Sequence, residues 1–184
     1  MGKEKRRILH VLPSRSYSGA ENVAIQIIKG LSERYDCAYC SKPGPIEETC
    51  KVHGVNFIPI KSRTPYEIAR ISREWKADLV HAHGCRMAGM SVTAGLKIPV
   101  IFHLHNDPDF VRSINPFSIL HFIACMRSAK VISCTTTILQ QDVFSKYLRN
   151  KVIPINNVVD SKRIRELSNM GTCDKSYDIA LFGR

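Results

Sequence analysis

Short apolar runs alternate with amphipathic stretches along most of the chain. The runs are Ile8 to Leu12, Cys37 to Tyr39, Val55 to Ile58, Leu79-Val80, Val100 to Phe102, Val131-Ile132 and Val152-Ile153. Each marks the apolar centre of a short strand, and a helix-like segment precedes each one after the first. That beat predicts an α/β fold: a doubly wound, mostly parallel, Rossmann-like sheet with helices on both faces. After the first strand, Val23, Ile27, Ile28 and Leu31 recur at helical spacing, with Glu21, Gln26, Lys29 and Glu33 between them. This predicts an amphipathic helix that Ser18 is placed to cap. A second helix is predicted from Tyr66 to Trp75, with Ile68, Ile71 and Trp75 as its stripe. Pro65 suits its first turn, where no backbone donor is needed.

There is no internal repeat and no low-complexity linker before about Ser168, where Ser168 to Ser176 reads as loop. Residues 1–167 are therefore expected to form one domain. Residues 168–184 are expected to be a linker and the first strand of a second domain. A chain of 184 residues that is 44% hydrophobic and 23% charged is expected to fold around one sizeable core. No apolar run reaches the ~20 residues of a membrane-spanning helix, and Ile8 to Leu12 is too short for a signal-peptide core. A cytoplasmic location follows as an expectation. Seven cysteines without framework spacing read as reduced thiols, mostly in the core.

In an open parallel sheet, ligands bind beyond the carboxyl ends of the strands. There this chain is polar: Pro13 to Glu21 after the first strand, His81-Ala-His83-Gly84 at the fourth, His103-Leu-His105-Asn106-Asp107 at the fifth. Thr135 to Thr137 follow the sixth, and Asn156-Asn157 the seventh. Gly19 opens a helix, whose free amides and positive dipole end suit a phosphate; the alternative is that Gly19 serves only a tight turn. No GxGxxG follows the first strand, and no acid closes the second, which argues against a dinucleotide dehydrogenase. Gly84 to Ser91 has the glycine spacing of a phosphate-binding P-loop, but Met90 stands where lysine is required. Residues two apart on a strand share a face, so His81 pairs with His83 and His103 with His105. Cys85 and Asp107 would be the further ligands of a zinc site, but substrate-binding histidines are the commoner meaning, and no metal is expected.

Taken together, these loops resemble the retaining group 1 glycosyltransferases of the GT-B fold, in their amino-terminal, acceptor-side domain. The resemblance rests on Ser18-Gly19-Ala20-Glu21, Asp78-Leu-Val-His-Ala-His83, His103-Leu-His105-Asn106-Asp107, Ser128-Ala-Lys-Val-Ile132 and Ile155-Asn-Asn157-Val-Val-Asp160, in that order. Departures are Ser18 for the first of two glycines, Lys130 for an aspartate and Val158 for a glycine. The resemblance implies transfer of a sugar from a nucleotide-sugar donor to a glycan or lipid-linked acceptor, in polysaccharide or glycoconjugate biosynthesis, without a cofactor. It implies His105 as the catalytic residue, with Ser18, Gly19, Glu21, His83, Gly84, Asn106, Asp107 and Asn157 binding acceptor or substrate. Gly19 and Arg184 would hold the donor diphosphate. Tyr177 to Arg184 resembles the first strand of the carboxyl-terminal domain, so this polypeptide is expected to be inactive alone.

Twenty-seven Lys and Arg against sixteen Asp and Glu give a formal charge of +11, which points to an acidic partner. The basic residues are not interleaved with aromatics in one strip and no nucleic-acid motif is present, so nucleic acid is not the expected partner. The non-catalytic alternative is a basic α/β module holding a phosphorylated ligand or nucleic acid. From Arg112 to Lys151, six basic residues face one acid, Asp142, alongside Phe117, Ile119, Leu120, Phe122 and Ile123. This stretch reads either as an ordinary core-facing helix, the commoner meaning, or as a docking face for an anionic membrane.

Overall fold

In the computed structural model, which describes residues 4–157 and 161–170, strands and helices alternate as the hydrophobic pattern requires. The first half runs β1 (Arg6–Val11), α1 (Gly19–Leu31), β2 (Tyr35–Ser41), α2 (Ile46–Val52), β3 (Asn56–Pro59), α3 (Pro65–Glu74), β4 (Leu79–His83) and α4 (Gly84–Val92). The second runs β5 (Val100–Leu104), a 3-10 turn (Asp109–Arg112), α5 (Pro116–Arg127), β6 (Lys130–Ser133), α6 (Ile138–Gln141), α7 (Ser145–Leu148), β7 (Val152–Pro154) and α8 (Ser161–Met170). All seven strands pair in parallel, in the order β3-β2-β1-β4-β5-β6-β7. The fold is α/β and Rossmann-like.

Alternation along each strand divides the apolar side chains between two layers. Leu9, Val11, Val80, Ala82, Phe102 and Leu104 join Ile68, Ile71, Met87, Ala88 and Ala124 on the side of α3, α4 and α5. On the other side, Leu12, Cys37 and Tyr39 pack with Ala24, Ile25 and Ile28 of α1 and with Ile46 and Cys50 of α2. Each fully buried side chain of this size contributes on the order of 1.5–3 kcal/mol. The α1 stripe is rotated from the predicted one: Val23, Ile27 and Leu31 are half-buried, while Glu21, Ala24, Ile25 and Ile28 are the inward positions.

The α3 expectation holds. Ile68 and Ile71 are buried, Pro65 occupies the first turn, and Thr64 caps the helix by accepting from the Glu67 amide. Ser18 stands at the start of α1 but makes no side-chain cap bond; its hydroxyl is hydrogen-bonded to the Glu21 carboxylate instead. The P-loop-like segment Gly84 to Ser91 is α4, and Gly84 enters it at φ +78, where a side chain would be strained. Ser168 to Met170, expected as loop, form the last residues of α8. Asp160 and the Tyr177–Arg184 strand, with Arg184, lie outside the described residues. Among the described cysteines none forms a disulfide; Cys37, Cys40, Cys50 and Cys125 are buried. No helix among the described residues is long and apolar enough to cross a membrane.

The clearest departure from a core-facing helix is α5. Asn115 caps it with a capping box, and its inward side is Ser118, His121, Ala124 and Cys125. Phe117 (68% exposed), Leu120 (62%), Ile119, Ile123 and Met126 lie outward. The helix thus does face the core along one side, where Phe122 also packs, but most of the large apolar residues of this stretch lie on its outer side.

Candidate functional site

Strand order reverses between β1 and β4, and in such a sheet a crevice opens at their carboxyl ends. Three of the polar segments converge there: Pro13 to Ser18 after β1, His83-Gly84 at the β4–α4 junction and His105 to Asp107 after β5. Ser14 and Ser16 close the first into a local turn, with Ser14 Oγ donating to Ser16 O at 2.8 Å and accepting from Ser16 N at 3.0 Å. Tyr17 Oη donates to Asn22 Oδ1 at 2.7 Å. Because Ser18 Oγ is turned to Glu21, the first amides of α1 stay uncapped by a side chain. A Cβ at Gly19 would meet nothing within 4 Å, and Gly19 is not among the glycines with positive φ. Neither steric crowding nor turn geometry therefore demands glycine there, which leaves an open helix end suited to an anion.

The histidines gather as their two-residue spacing predicts, and a fifth joins them. His10 on β1 is the register partner of His81 on β4, and His83 is the partner of His103 on β5. His10 Nδ1 lies 3.1 Å from His83 Nε2, His83 Nδ1 lies 2.8 Å from His105 Nε2, and His81 Nε2 lies 3.2 Å from His103 Nδ1. Rings from the same strand stack face to face, His81 on His83 at 4.4 Å and His103 on His105 at 4.3 Å between centroids. His10 escaped the sequence reading because it stands inside an apolar run and its link to β4 is a long-range pairing. Its signal was the Ile8-x-His10-x-Leu12 alternation, which puts it on the same face of β1 as its two apolar neighbours.

Burial keeps these imidazoles uncharged. It lowers His10 and His103 to about 3, with the neighbouring histidines adding to the shift. His81 and His83 are held well below the ordinary value by burial and by the rings around them. His105 is also lowered by burial, against which the Glu21 carboxylate acts. Two groups of three, His10/His81/His83 and His83/His103/His105, offer nitrogens within 4.8 Å of one another, the most a metal would find here. Cys85 is not part of either: its Sγ lies 3.5 Å from His121 Nδ1 on the opposite side of the sheet. Asp107 accepts from Thr135 Oγ1 at 3.0 Å through Oδ2, and its Oδ1 is buried without a partner.

Asn106 is exposed beside His105. Asn157 is exposed past the end of β7, and β6 separates that strand from β5. The structure thus brings Ser18, Gly19, Glu21, His83, Gly84, His105, Asn106 and Asp107 to one end of the sheet near the switch point, with Asn157 further along that edge.

Residues 17–163 match the Glycosyltransferase Family 4 profile. The chain belongs to glycosyltransferase family 4. No curated protein sequence matches it. Among solved structures, it is similar to Anabaena HepE in complex with UDP-glucose, at 17% identity and a TM-score of 0.67, over 89% of this chain and 49% of that one. It is similar to a glycosyltransferase from Rickettsia africae at 17% identity and a TM-score of 0.61, over 92% and 51%. A UDP-N-acetylglucosamine 2-epimerase from Rickettsia bellii matches at 14% identity and a TM-score of 0.65, over 93% and 50%. These likenesses establish a shared fold, and this family 4 chain spans about half the length of each.

Proposed function

We propose that residues 1–167 form the acceptor-side domain of a retaining glycosyltransferase that moves a sugar from a nucleotide-sugar donor to a glycan or lipid-linked acceptor, in polysaccharide or glycoconjugate biosynthesis. The observation that carries this reading is the meeting of an uncapped helix end at Gly19 with the His83–His105 pair at the switch point of the sheet. The two chemistries are complementary. A glycosyl-transfer transition state builds negative charge on the leaving diphosphate, and free amides near Gly19 favour it. His105, beside exposed Asn106 and half-buried Asp107, would contact sugar hydroxyls, with Ser18, Glu21, His83 and Gly84 shaping the same wall.

The donor would be held largely by a second domain, which fits the half-length match to HepE and to the Rickettsia transferase. Arg184 is proposed as a diphosphate ligand on resemblance alone. No metal or cofactor is needed, because amides and a cation can supply the electrostatic stabilisation. The outward apolar row of α5, in a stretch of sequence that also carries Arg112, Arg127, Lys130, Lys146, Arg149 and Lys151, supports peripheral attachment to an anionic membrane on the cytoplasmic side and hence a lipid-linked acceptor. Transfer of labelled sugar tests the proposal. Residues 1–184 alone should give no product. A protein carrying both domains should give product with retained configuration, and its His105→Ala variant should lose most turnover without losing its fold. Turnover by the 184-residue chain, or unchanged activity in the variant, would refute the assignment.

A further inference from the structure

His10, His83 and His105 form a single row across β1, β4 and the end of β5. The ring centres are 5.4 Å apart for His10 and His83 and 5.1 Å apart for His83 and His105. The corresponding nitrogens are 3.1 and 2.8 Å apart. Each centre-to-centre distance exceeds the nitrogen distance by about one ring radius at either end. The nitrogens therefore lie on the line joining the rings, each pointing at the other, and every gap holds one shared hydrogen. A metal ion needs its nitrogens to converge on one point at ~2.0–2.1 Å from each, and two nitrogens that face one another across 2.8 Å leave it no place between them.

Both nitrogens of His83 are engaged, so as a neutral ring it donates at one and accepts at the other. The row then has only two arrangements, with one hydrogen per ring in each. In the first, His10, His83 and His105 all carry hydrogen on Nδ1, and both shared hydrogens point towards His105. In the second, all three carry it on Nε2, and both point towards His10. The end atoms decide between them: His10 Nε2 and His105 Nδ1 are both buried without a partner. An orphaned N–H is the rarer and costlier of the two kinds of buried orphan. The second arrangement would place that N–H on His10, which has no exposed surface. The first places it on His105, which is only half-buried, at the site.

We infer that His83 and His10 lock His105 in its Nδ1–H tautomer, which leaves the ring an N–H donor and no free nitrogen lone pair with which to take a proton from a sugar hydroxyl. His83 and His10 are thus positioning residues. The functional consequence rests on the glycosyltransferase reading, whereas the tautomer itself is measured without any activity.

The chain labelled with nitrogen-15 at its imidazoles is the sample. At pH 7.5 its spectrum should show a pyrrole-type Nδ1 and a pyridine-type Nε2 for His105, with a scalar coupling between His83 Nδ1 and His105 Nε2 across the hydrogen bond. His83→Phe should abolish the coupling and the pyrrole-type Nδ1 signal. His83→Asn, whose amide donates from nearly the same place as Nδ1, should retain that signal. A pyridine-type Nδ1 on His105 in the unmodified chain overturns the inference without any variant. Retention of the Nδ1–H form in folded His83→Phe also overturns it. Should that variant fail to fold, loss of the form in His83→Asn does so instead. Equimolar zinc should leave these signals in place, and metal-type shifts on His83 and His105 would count against the row. A failed transfer assay with the Nδ1–H form intact would refute the glycosyltransferase reading and leave the tautomer assignment standing.

Discussion

Mild acid should unfold this domain, and the buried histidines set where. His10, His81, His83 and His103 are neutral in the folded chain, whereas each takes up a proton near 6.5 when unfolded. Their folded values are depressed, so below 6.5 the unfolded state binds protons that the native state refuses. Stability is therefore complete above 6.5 and falls as pH drops. Each such group removes about 1.4 kcal/mol per pH unit well below 6.5, and about 2 kcal/mol in all by pH 5. Four together remove about 8 kcal/mol, comparable with the roughly 5–15 kcal/mol that holds a domain folded. Glu67, held at about 2 chiefly by its bond to Arg70, contributes stability that is lost only as pH falls below its ordinary 4.5, so it does not confuse the window. Urea titrations followed by circular dichroism between pH 8 and pH 5 should give a stability that drops steeply below 6.5. His103→Phe should shallow the slope by about one proton, or about 1.4 kcal/mol per pH unit. A stability that is flat from 6.5 to 5, or a slope unchanged in the variant, would refute the claim that the row is buried uncharged.

Two further outcomes are expected. The chain should co-sediment with anionic but not neutral vesicles at low salt and be released as salt rises, and Leu120→Glu on the outward face of α5 should weaken binding; no binding at low salt would refute docking. Gly84→Ala should destabilise the domain by about 1–2 kcal/mol in urea titrations, because its φ of +78 strains a side chain although nothing stands within 4 Å of the added Cβ.

The sheet was legible because period and order are local properties. Each apolar run marks a strand, each amphipathic stretch a crossover, and such crossovers force parallel pairing. The pairing of His81 with His83 and of His103 with His105 was legible for the same reason. What joins the two pairs to His10 is the adjacency of β1 and β4, a contact between residues more than seventy positions apart that no local pattern announces. The rotated stripe of α1 has a similar origin. Apolar residues at 23, 24, 25, 27, 28 and 31 span too wide an arc for the sequence to say which part meets the sheet, and Glu21 is drawn inward at one end of it. On α5 the composition misled in the other direction. Its buried positions are the small or polar Ser118, His121, Ala124 and Cys125, while the large apolar ones other than Phe122 face out. There His121 Nε2 approaches Asp142 Oδ2 at 3.4 Å with both side chains buried, a pairing the sequence did not signal.

What binds at the carboxyl end of the sheet decides whether this domain receives the acceptor. Backbone-amide spectra of the 184-residue chain, titrated in parallel with glycan acceptors, lipid-linked acceptors and nucleotide sugars, measure this. An acceptor should shift the signals of Ser18 to Glu21, His83-Gly84 and His105 to Asp107 together, while nucleotide sugars without a second domain should shift them only weakly. Tight nucleotide-sugar binding by this chain alone, or acceptor shifts confined to residues away from β1, β4 and β5, would contradict the acceptor-side assignment.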